Sequence, residues 1–364
     1  MKRPYYIFSS GKLMQKQNTL FFLPYKEEEL LLEELAQPKD ESINWELITE
    51  AGTFKKEFES LNKRVIPIDD VDSLMIFGEI NFNARMLQFL SKNNIPAHLF
   101  NYYGFYNGSY YPREYLHSGY LLVNQVEYYK SASKRMGLAV QFVLGAAYNM
   151  LRNLKYYDGR VGDISESINR IEEYLGSVPL AQDIQELMGL EGNIRQAYYA
   201  AFSIILGDKY DFKKRVRNPP DNAVNALISF GNAMVYTACL TEIYRTQLSP
   251  LISFLHEPGV RRYSLALDLA EIFKPLLADR VIFSCLNQGR IKHNDFDRDL
   301  NFCHLSASGR KIFVKAFEEK LQTTIMHRKL KRKVSYRRLI RLECYKLIKH
   351  ITKAEPYTPF KAWW

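Results

Sequence analysis

The hydrophobic pattern of this chain changes at Pro112-Arg113-Glu114, and this change constrains the fold more than any other feature. Before it, short runs of β-branched and aromatic residues alternate with glycine and asparagine turns, which is typical of strands. After it, apolar residues recur at helical spacing over long stretches such as 132–155 and 221–247. The sequence therefore predicts an α+β protein, in which a small N-terminal β-sandwich or split barrel (residues 1–111) is followed by a larger all-α domain (residues 112–364).

Charge is distributed unevenly along the chain. Lys and Arg total 50 against 40 Asp and Glu, so the formal net charge is +10. The basic excess lies between residues 310 and 361, where two helices are predicted over Arg310–Arg332 and Ser335–Lys349. Such segregation favours a polyanionic partner, and nucleic acid is the obvious one. The acidic stretch 26–63 interrupts the β pattern, and we interpret it as an insertion that faces away from DNA.

Neither a membrane protein nor a secreted protein is indicated. No apolar run approaches the roughly 20 residues that a membrane helix needs. The N-terminus lacks the apolar segment and cleavage site of a signal peptide, so the cytoplasm is the expected compartment. The four cysteines are far apart, which argues against a zinc knuckle and favours small buried hydrophobic side chains; they are Cys239, Cys285, Cys303 and Cys344.

The stretch Phe254–Pro275, FLHEPGVRRYSLALDLAEIFKP, carries the most chemistry. Asp268 and Glu271 are three residues apart, so on a helix they share one face, which is otherwise apolar. Carboxylates in apolar surroundings need a cation, a metal or a proton. His256 precedes the turn before this helix and can fold back onto the same face. Carboxylate oxygens and an imidazole are suitable ligands for a hard divalent cation such as manganese.

A third ligand is needed, and Glu191 is the best candidate. It precedes an aromatic run that is predicted to be helical, with Glu191 opening the helix. An alternative is that Glu191 is a first-turn glutamate stabilised by the helix dipole, and that Glu271 is a paired surface charge. Short motifs are weak evidence, so spacing alone leaves both interpretations open.

Six segments, in order along the chain, resemble the CRISPR-associated spacer integrase, the subunit that cuts and joins DNA in CRISPR adaptation. The variety found with type I-B systems is the most similar. The segments span nearly the whole chain and are VDSLMIFGEINFN, IPAHLFNYYGFYNGSYYPRE, LMGLEGNIRQAYYAAF, NPPDNAVNALISFGNAMVY, FLHEPGVRRYSLALDLAEIFKP and SYRRLIRLECYKLIKHI.

The resemblance implies a metal-dependent DNA endonuclease and integrase. Glu191, His256 and Glu271 match the family's metal-binding triad, and Asp268 matches a neighbouring acidic position with a catalytic or supporting role. The metal would be Mg²⁺ or Mn²⁺, which would polarise a phosphodiester. The attacking group in integration would be a 3′-hydroxyl of a short DNA fragment, the spacer, which is inserted into a repeat array.

The resemblance also implies partners. They are double-stranded DNA, a second copy of the chain paired through the β domain, and the small ferredoxin-like subunit of the adaptation complex. The family usually has a basic residue where this chain has Asn218, and a helix cap at Asn218 or Asp221 is an equally good interpretation there. The basic residues expected to contact DNA are Arg195, Arg215, Arg217, Arg261, Arg262, Lys331, Arg332, Arg337 and Arg338.

A competing hypothesis is a structure-specific DNA-binding protein without catalysis. The basic C-terminal half supports it equally well, whereas an intact set of Glu191, His256 and Glu271 argues against it. An RNA-binding function is weaker still, because no RRM or KH signature is present. Dependence of any activity on a divalent metal separates the first hypothesis from both alternatives.

Overall fold

A computed structural model describes most of the chain and divides it into two compact units. One unit comprises Met1–Tyr102 and Tyr106–Glu114, and the other comprises Tyr103–Phe105 and Tyr115–Trp364. The acidic stretch 26–63, which was predicted to be an insertion, lies outside the described residues. The structure describes residues 2–25, 64–113, 115–116, 118–210, 212–217, 219–259, 263–299 and 302–363.

The first unit consists mainly of strands. Its strands are β1 (Arg3–Ile7), β2 (Gly11–Lys16), β3 (Thr19–Pro24), β4 (Arg64–Pro67), β5 (Val71–Ile76), β6 (Ile80–Asn81), β7 (Ala97–Phe100) and β8 (Tyr106–Tyr110), and its helix is α1 (Ala84–Lys92). Asn83 caps this helix by accepting the backbone N–H of Met86. The predicted N-terminal β region is confirmed.

Two four-stranded sheets build this unit. One has the order β1-β5-β7-β8, with β1 and β7 parallel to β5 and with β8 antiparallel to β7. The other has the order β4-β3-β2-β6 and is antiparallel except for the β2–β6 pair. Leu13 and Leu20 from one sheet and Ile7 and Leu74 from the other belong to a single hydrophobic core. The central strand β5 is buried along its whole length, as expected for a strand covered on both faces.

The second unit is mostly helical, which confirms the predicted change of fold class. Two hairpins that the sequence did not predict, β9–β10 and β11–β12, also belong to it. Its elements are α2 (Gly119–Lys130), α3 (Ala132–Tyr157), α4 (Ser165–Ser177), α5 (Ile184–Ala200), α6 (Phe202–Leu206), α7 (Ala223–Tyr244), α8 (Ser264–Lys274), α9 (Arg280–Asn287), β9 (Phe296–Asp299), β10 (Phe302–Leu305), α10 (Ala307–Gln322), β11 (Thr324–His327), β12 (Arg332–Ser335) and α11 (Tyr336–Ile351).

The prediction of one helix over Arg310–Arg332 is wrong in its second half. Helix α10 ends at Gln322, and the chain then forms the β11–β12 hairpin. Lys331 lies in the turn with a φ of 51°, a backbone conformation that a helix cannot contain. The basic run therefore lies on a hairpin rather than on a helix.

Helix α7 is the central helix of the second unit. It is buried along nearly its whole length and packs against α8, α11 and β10. Its length of 22 residues and mean hydropathy of 1.4 would allow it to cross a membrane, although the sequence analysis found no such run. However, 83% of the apolar window is buried inside the protein, which is typical of a core helix.

Asn222 is the N-cap of α7, and its side chain accepts the backbone N–H of Asn225 at 2.9 Å. The prediction of Asp221 as the cap is therefore wrong, because Asp221 instead accepts the side-chain amide of Asn225 at 2.7 Å. Asn218 lies outside the described residues. The prediction for the four cysteines is confirmed, since all four are buried.

Asn149 on α3 connects the C-terminal tail to α8. Its amide donates to the carbonyl oxygens of Ile272 (2.9 Å) and Phe360 (3.1 Å). The tail crosses α3 at Gly145, where a Cβ atom would lie only 2.6 Å from Cβ of Pro359. Only glycine permits this close crossing, which helps to fix the position of α8.

A buried polar network follows α8. The π-helical turn Pro275–Asp279 places Asp279 so that its Oδ2 accepts the hydroxyl of Tyr198 at 3.0 Å. The amide of Asn153 donates to the same hydroxyl at 2.7 Å, and Nε of Arg280 donates to Oδ1 of Asn153 at 3.1 Å. Burial raises the pKa of Asp279 to about 7, because no cation pairs with this carboxyl group in the described part of the chain.

Asp279→Asn is expected to remove a pH dependence of stability. The folded-state pKa of Asp279, about 7, lies above its ordinary value of 3.8. The stabilising contribution is therefore fully present below pH 3.8 and is lost as the pH rises through 7. We therefore compare the free energy of urea unfolding of the variant with that of the parent at each pH. The variant's value minus the parent's value should rise by about 4 kcal/mol between pH 3.8 and pH 7.

Asp158→Asn is the matched control, because Asp158 is exposed. Its free energy of unfolding should differ from that of the parent by a constant amount over this pH range. A constant difference for Asp279→Asn as well would show that Asp279 is ionised in the folded protein at neutral pH.

Candidate active site

Asp268 fastens the segment before α8 onto that helix. It is fully buried in the middle of α8. Its Oδ2 accepts the backbone N–H groups of Phe254 (2.7 Å) and Leu255 (3.0 Å), and its Oδ1 accepts that of His256 (3.0 Å). Both oxygens of this predicted catalytic carboxylate are therefore engaged with the protein, and they support the site structurally.

His256 is oriented by the same carboxylate. Its ring Nδ1 lies 2.8 Å from Oδ1 of Asp268, and because a carboxylate only accepts, Nδ1 is the donor. The opposite nitrogen, Nε2, lies 4.0 Å from Oε1 of Glu271, which is too far for a hydrogen bond. Burial alone would lower the pKa of His256, but the hydrogen bond to Asp268 and the nearby carboxylate charges outweigh burial and raise it.

Helix α5 brings Glu191 to the site from a second direction. The helix begins at Ile184, and Asp183 caps it by accepting the N–H of Glu186 at 2.8 Å. The prediction that Glu191 opens a helix is therefore wrong, and so is the alternative of a first-turn glutamate. Gly189 and Gly192 also lie inside this helix.

The guanidinium of Arg195 joins the two predicted carboxylate ligands. Its Nε donates to Oε1 of Glu191 at 2.8 Å, and its Nη2 contacts both Oε1 of Glu191 and Oε2 of Glu271. Arg195 is only 8% exposed. Burial would lower the pKa of Arg195, but the charges of Glu271 and Glu191 outweigh it and raise the pKa well above its ordinary range. The guanidinium of Arg195, predicted to contact DNA, is buried between two carboxylates and is not exposed to DNA in this arrangement.

Lys274 is a residue of the site that the sequence analysis missed. Its Nζ lies 2.7 Å from Oε1 of Glu271, one helical turn away. Burial would raise the pKa of Glu271, but Arg195, Lys274 and His256 together lower it well below its usual range. The spacings Glu191–Arg195 (i, i+4) and Glu271–Lys274 (i, i+3) were the available signal, since such pairs meet on one helix face.

Of the three predicted metal ligands, Glu191 and Glu271 contact the same guanidinium nitrogen, whereas Nε2 of His256 lies 4.0 Å from Glu271. No group of three His, Cys, Asp or Glu side chains within the described residues is arranged to hold a metal ion directly. The physical reason is that Nη2 of Arg195 lies between Glu191 and Glu271. The donors themselves fit a divalent cation, because two carboxylates converge on one positive group and the free imidazole nitrogen of His256 lies 4.0 Å from Oε1 of Glu271.

Arg215, also predicted to contact DNA, is held within the protein. Its guanidinium donates to the side chain of Asn225 at 3.1 Å and to the hydroxyl of Ser229 at 2.8 Å. Burial lowers its pKa. Arg215 therefore anchors the segment before α7 to that helix, which corrects the prediction.

The remaining basic residues differ in exposure. Arg217, Lys331 and Arg332 are exposed. Nη2 of Arg337 donates to both carboxylate oxygens of Glu318 (2.8 and 2.9 Å), and the guanidinium of Arg338 lies 5.8 Å from the ring centroid of Tyr345. Arg261 and Arg262 lie outside the described residues.

Comparison with known proteins identifies the family. The family described as "CRISPR associated protein Cas1" matches residues 46–319. The chain belongs to the Cas1 family. Two curated relatives cover 100% of this chain and 100% of their own length: CRISPR-associated endonuclease Cas1 2 of Moorella thermoacetica (47% identical over 364 residues) and CRISPR-associated endonuclease Cas1 3 of Thermodesulfovibrio yellowstonii (46% over 362 residues). The predicted resemblance and the prediction of an endonuclease are confirmed, whereas the type I-B assignment stays a prediction.

Solved structures show the same fold. A Cas1 protein from Thermotoga maritima superposes with a TM-score of 0.81 at 35% identity, covering 98% of this chain and 99% of its own. A structure described as a casposase bound to integration product has a TM-score of 0.79 at 20% identity, covering 99% of this chain and 93% of its own. The α+β architecture of this Cas1-family chain is thereby confirmed.

Asp268→Asn is expected to loosen the site of this Cas1-family chain. The amide presents a donor where the carboxylate accepts four N–H groups, so at least one of them loses its partner. We expect a loss of about 2–4 kcal/mol in the free energy of urea unfolding. NMR titration of the His256 ring, carried out in EDTA, should show a lower pKa than in the parent, because the opposing effect of burial remains.

Glu257→Gln is the matched control. Glu257 follows His256 in the sequence and pairs with Arg135, but its side chain is largely exposed. Its cost should stay below about 1 kcal/mol. An unchanged His256 pKa in Asp268→Asn would contradict the role given to Asp268.

Proposed function

We propose that this Cas1-family chain is a metal-dependent DNA endonuclease and integrase whose metal ligands are Glu191, His256 and Glu271. The observation that carries the proposal is the convergence of two buried or nearly buried carboxylates on one cation, Nη2 of Arg195. The imidazole of His256 adjoins the same place, with Nε2 4.0 Å from Glu271. The ion would be Mg²⁺ or Mn²⁺, and both accept such ligands.

The residues have separable roles. A bound divalent cation would polarise the scissile phosphodiester and neutralise charge that develops on its oxygens. Glu271 is kept ionised by its cationic neighbours, so it is ready to act as a ligand. Asp268 holds His256 with Nδ1 protonated, which leaves the lone pair on Nε2 for coordination. Arg195 must leave its position between the carboxylates, and a guanidinium released there can contact a phosphate.

The proposed reaction is transfer of a DNA strand. The attacking group is the 3′-hydroxyl of a short DNA fragment in integration and water in hydrolysis, so no nucleophilic side chain is required. A casposase structure of the same fold is described as bound to integration product, which supports the proposal. Double-stranded DNA and a repeat array are the proposed substrates. The exposed residues Arg217, Lys331 and Arg332 are the best remaining candidates for contacts with the DNA backbone.

The proposed assembly contains two further kinds of contact. One is a homodimer formed through the first unit. The other is with the small ferredoxin-like adaptation subunit, and a neighbour of this fold is described as part of a Cas6-RT-Cas1–Cas2 complex (TM-score 0.78, 16% identity, covering 100% of this chain and 36% of the other). Because the substrate would be cellular DNA, the cytoplasm is the proposed compartment.

Glu191→Ala, His256→Ala and Glu271→Ala are each expected to abolish strand joining. The assay combines the protein and its small partner subunit with a fluorescent 3′-hydroxyl duplex and a supercoiled plasmid that carries repeats. Label should join the plasmid with Mg²⁺ or Mn²⁺ but not in EDTA. Each variant should lower joining by about 100-fold or more, because each removes a ligand of the ion.

Glu173→Ala is the matched control, because this glutamate is exposed on α4 and should leave joining unchanged. Full joining by the three site variants would refute the assignment of the ligands. Tight DNA binding by the parent without any cutting or joining would favour the competing hypothesis of a structure-specific binding protein.

Arg195→Gln is expected to strengthen metal binding while weakening the metal-free protein. Without the guanidinium, Glu191 and Glu271 repel each other, and the cation that contacts both carboxylates no longer competes with the metal, although Lys274 still pairs with Glu271. We expect the dissociation constant for Mn²⁺, measured by isothermal titration calorimetry, to fall by about tenfold. The rise in melting temperature on adding Mn²⁺ should therefore be larger than in the parent.

Arg170→Gln is the control, because it removes an exposed arginine that pairs with Glu166. It should change neither the dissociation constant for Mn²⁺ nor the rise in melting temperature on adding Mn²⁺. Weaker Mn²⁺ binding by Arg195→Gln would mean that Arg195 supports the metal site rather than competing with the ion.

A further inference from the structure

A cavity of about 340 Å³ lies in the second unit and is lined by none of the residues assigned to the active site. Its walls come from the end of α3, from α9 and from the C-terminal end of α10. A volume of this size suits a small ligand of nucleotide dimensions rather than a single ion.

The walls of this cavity carry an excess of positive charge. Arg280, Arg290 and Lys320 line it, whereas its only lining carboxylate is Glu319. Glu319 lies 3.5 Å from Arg290 and its side chain is 55% exposed, so this pair is weak. In the part of the chain that the structure describes, no carboxylate lies within ion-pairing distance of Arg280 or Lys320. Two cations thus face the cavity without an anionic partner.

The positive charge of Lys320 is destabilised in this cavity. Burial and the charge of Arg280 lower its pKa from 10.5 to about 8. Its ammonium lies 4.7 Å from the ring centroid of Tyr336, and this contact compensates only in part. An anion in the cavity would relieve the repulsion between Lys320 and Arg280.

The other polar groups are hydrogen-bond donors held in place. Arg280 is fixed by its bond to Asn153 (3.1 Å), part of the buried network described above. Burial raises the pKa of Tyr157 to about 12, so its phenol stays protonated at neutral pH. Ser284 adds a hydroxyl group to the lining. Guanidinium, ammonium and hydroxyl groups together are the donors that phosphate oxygens accept.

We propose that this cavity, the phosphate cavity, binds the phosphate group of a nucleotide, either free or within a DNA strand. The guanidinium groups of Arg160 (4.2 Å) and Arg280 (5.5 Å) lie over the ring of Tyr156, so they compete with a base for stacking on it. Recognition is therefore of the phosphate and sugar and is independent of base sequence. The strand-bound form rests on the proposed function, whereas the free form does not.

The test uses the full chain in EDTA, so that neither metal binding nor catalysis is required. The dissociation constant of dAMP is measured by calorimetry, and that of a fluorescent oligonucleotide by anisotropy at several salt concentrations. The variants are Lys320→Gln and Arg290→Gln. Lys315→Gln is the matched control, because it removes the same charge from an exposed position of α10 that does not line the cavity.

We expect Lys320→Gln to weaken binding about tenfold relative to Lys315→Gln, and Arg290→Gln to weaken it less. If both probes bind more weakly, the site accepts a DNA strand. In that case the salt dependence of oligonucleotide binding should also fall by the amount expected for the loss of about one phosphate contact. Weaker binding of dAMP alone indicates a site for a free nucleotide. Affinities equal to the control for both probes would overturn the proposal. Binding in EDTA does not depend on the metal site, so failure of the metal site and failure of this site are distinguishable.

A second readout needs no substitution. At pH 8, about half of the Lys320 amine is unprotonated and reactive towards an acetylating reagent. Mass spectrometry should show that dAMP or the oligonucleotide protects Lys320 but not Lys315. Equal acetylation of Lys320 with and without both probes would also contradict the proposal.

Discussion

The buried guanidinium of Arg195 is the interaction on which the candidate active site depends. It joins α5 to α8 by contacting Glu191 on one helix and Glu271 on the other. Removing two carboxylates and a guanidinium from water is costly, so such a group of charges is stable only when every member is paired. Nη2 therefore keeps the two carboxylates close together, and its charge helps to hold the pKa of Glu271 well below its usual range. The same contacts leave the protein with a positive charge at the position where a divalent cation would bind.

A second buried carboxylate gives this arrangement its shape. Asp268 accepts four N–H groups and so fixes both the segment Phe254–His256 and the ring of His256 against α8. Asn149 and the C-terminal tail hold the far end of the same helix. The site is thus built on a helix that both sets of contacts hold in place, and the internal cations that pair with Glu271 are the side chains of Arg195 and Lys274. A rigid backbone with exchangeable cations allows a metal ion to replace internal partners without refolding of the chain.

The sequence predicted the fold class better than it predicted the environment of the candidate site residues. The change from short β-branched and aromatic runs to helical spacing predicted the two kinds of structure correctly. The start of α5 was predicted wrongly at Glu191, because the helix already begins at Ile184. Arg195 looked like a DNA contact because a sequence does not reveal which basic residues are buried. Its pairing with Glu271 links positions 76 residues apart, and only the tertiary structure brings them together.

The central claim is that Arg195 occupies the position of a divalent cation and yields it when the ion binds. The most direct measurement is the anomalous diffraction of crystals of this protein with Mn²⁺. The account predicts one anomalous peak bound by Glu191, Nε2 of His256 and Glu271, with the guanidinium of Arg195 displaced from between the carboxylates. A peak elsewhere, with Arg195 still contacting both Glu191 and Glu271, would contradict it.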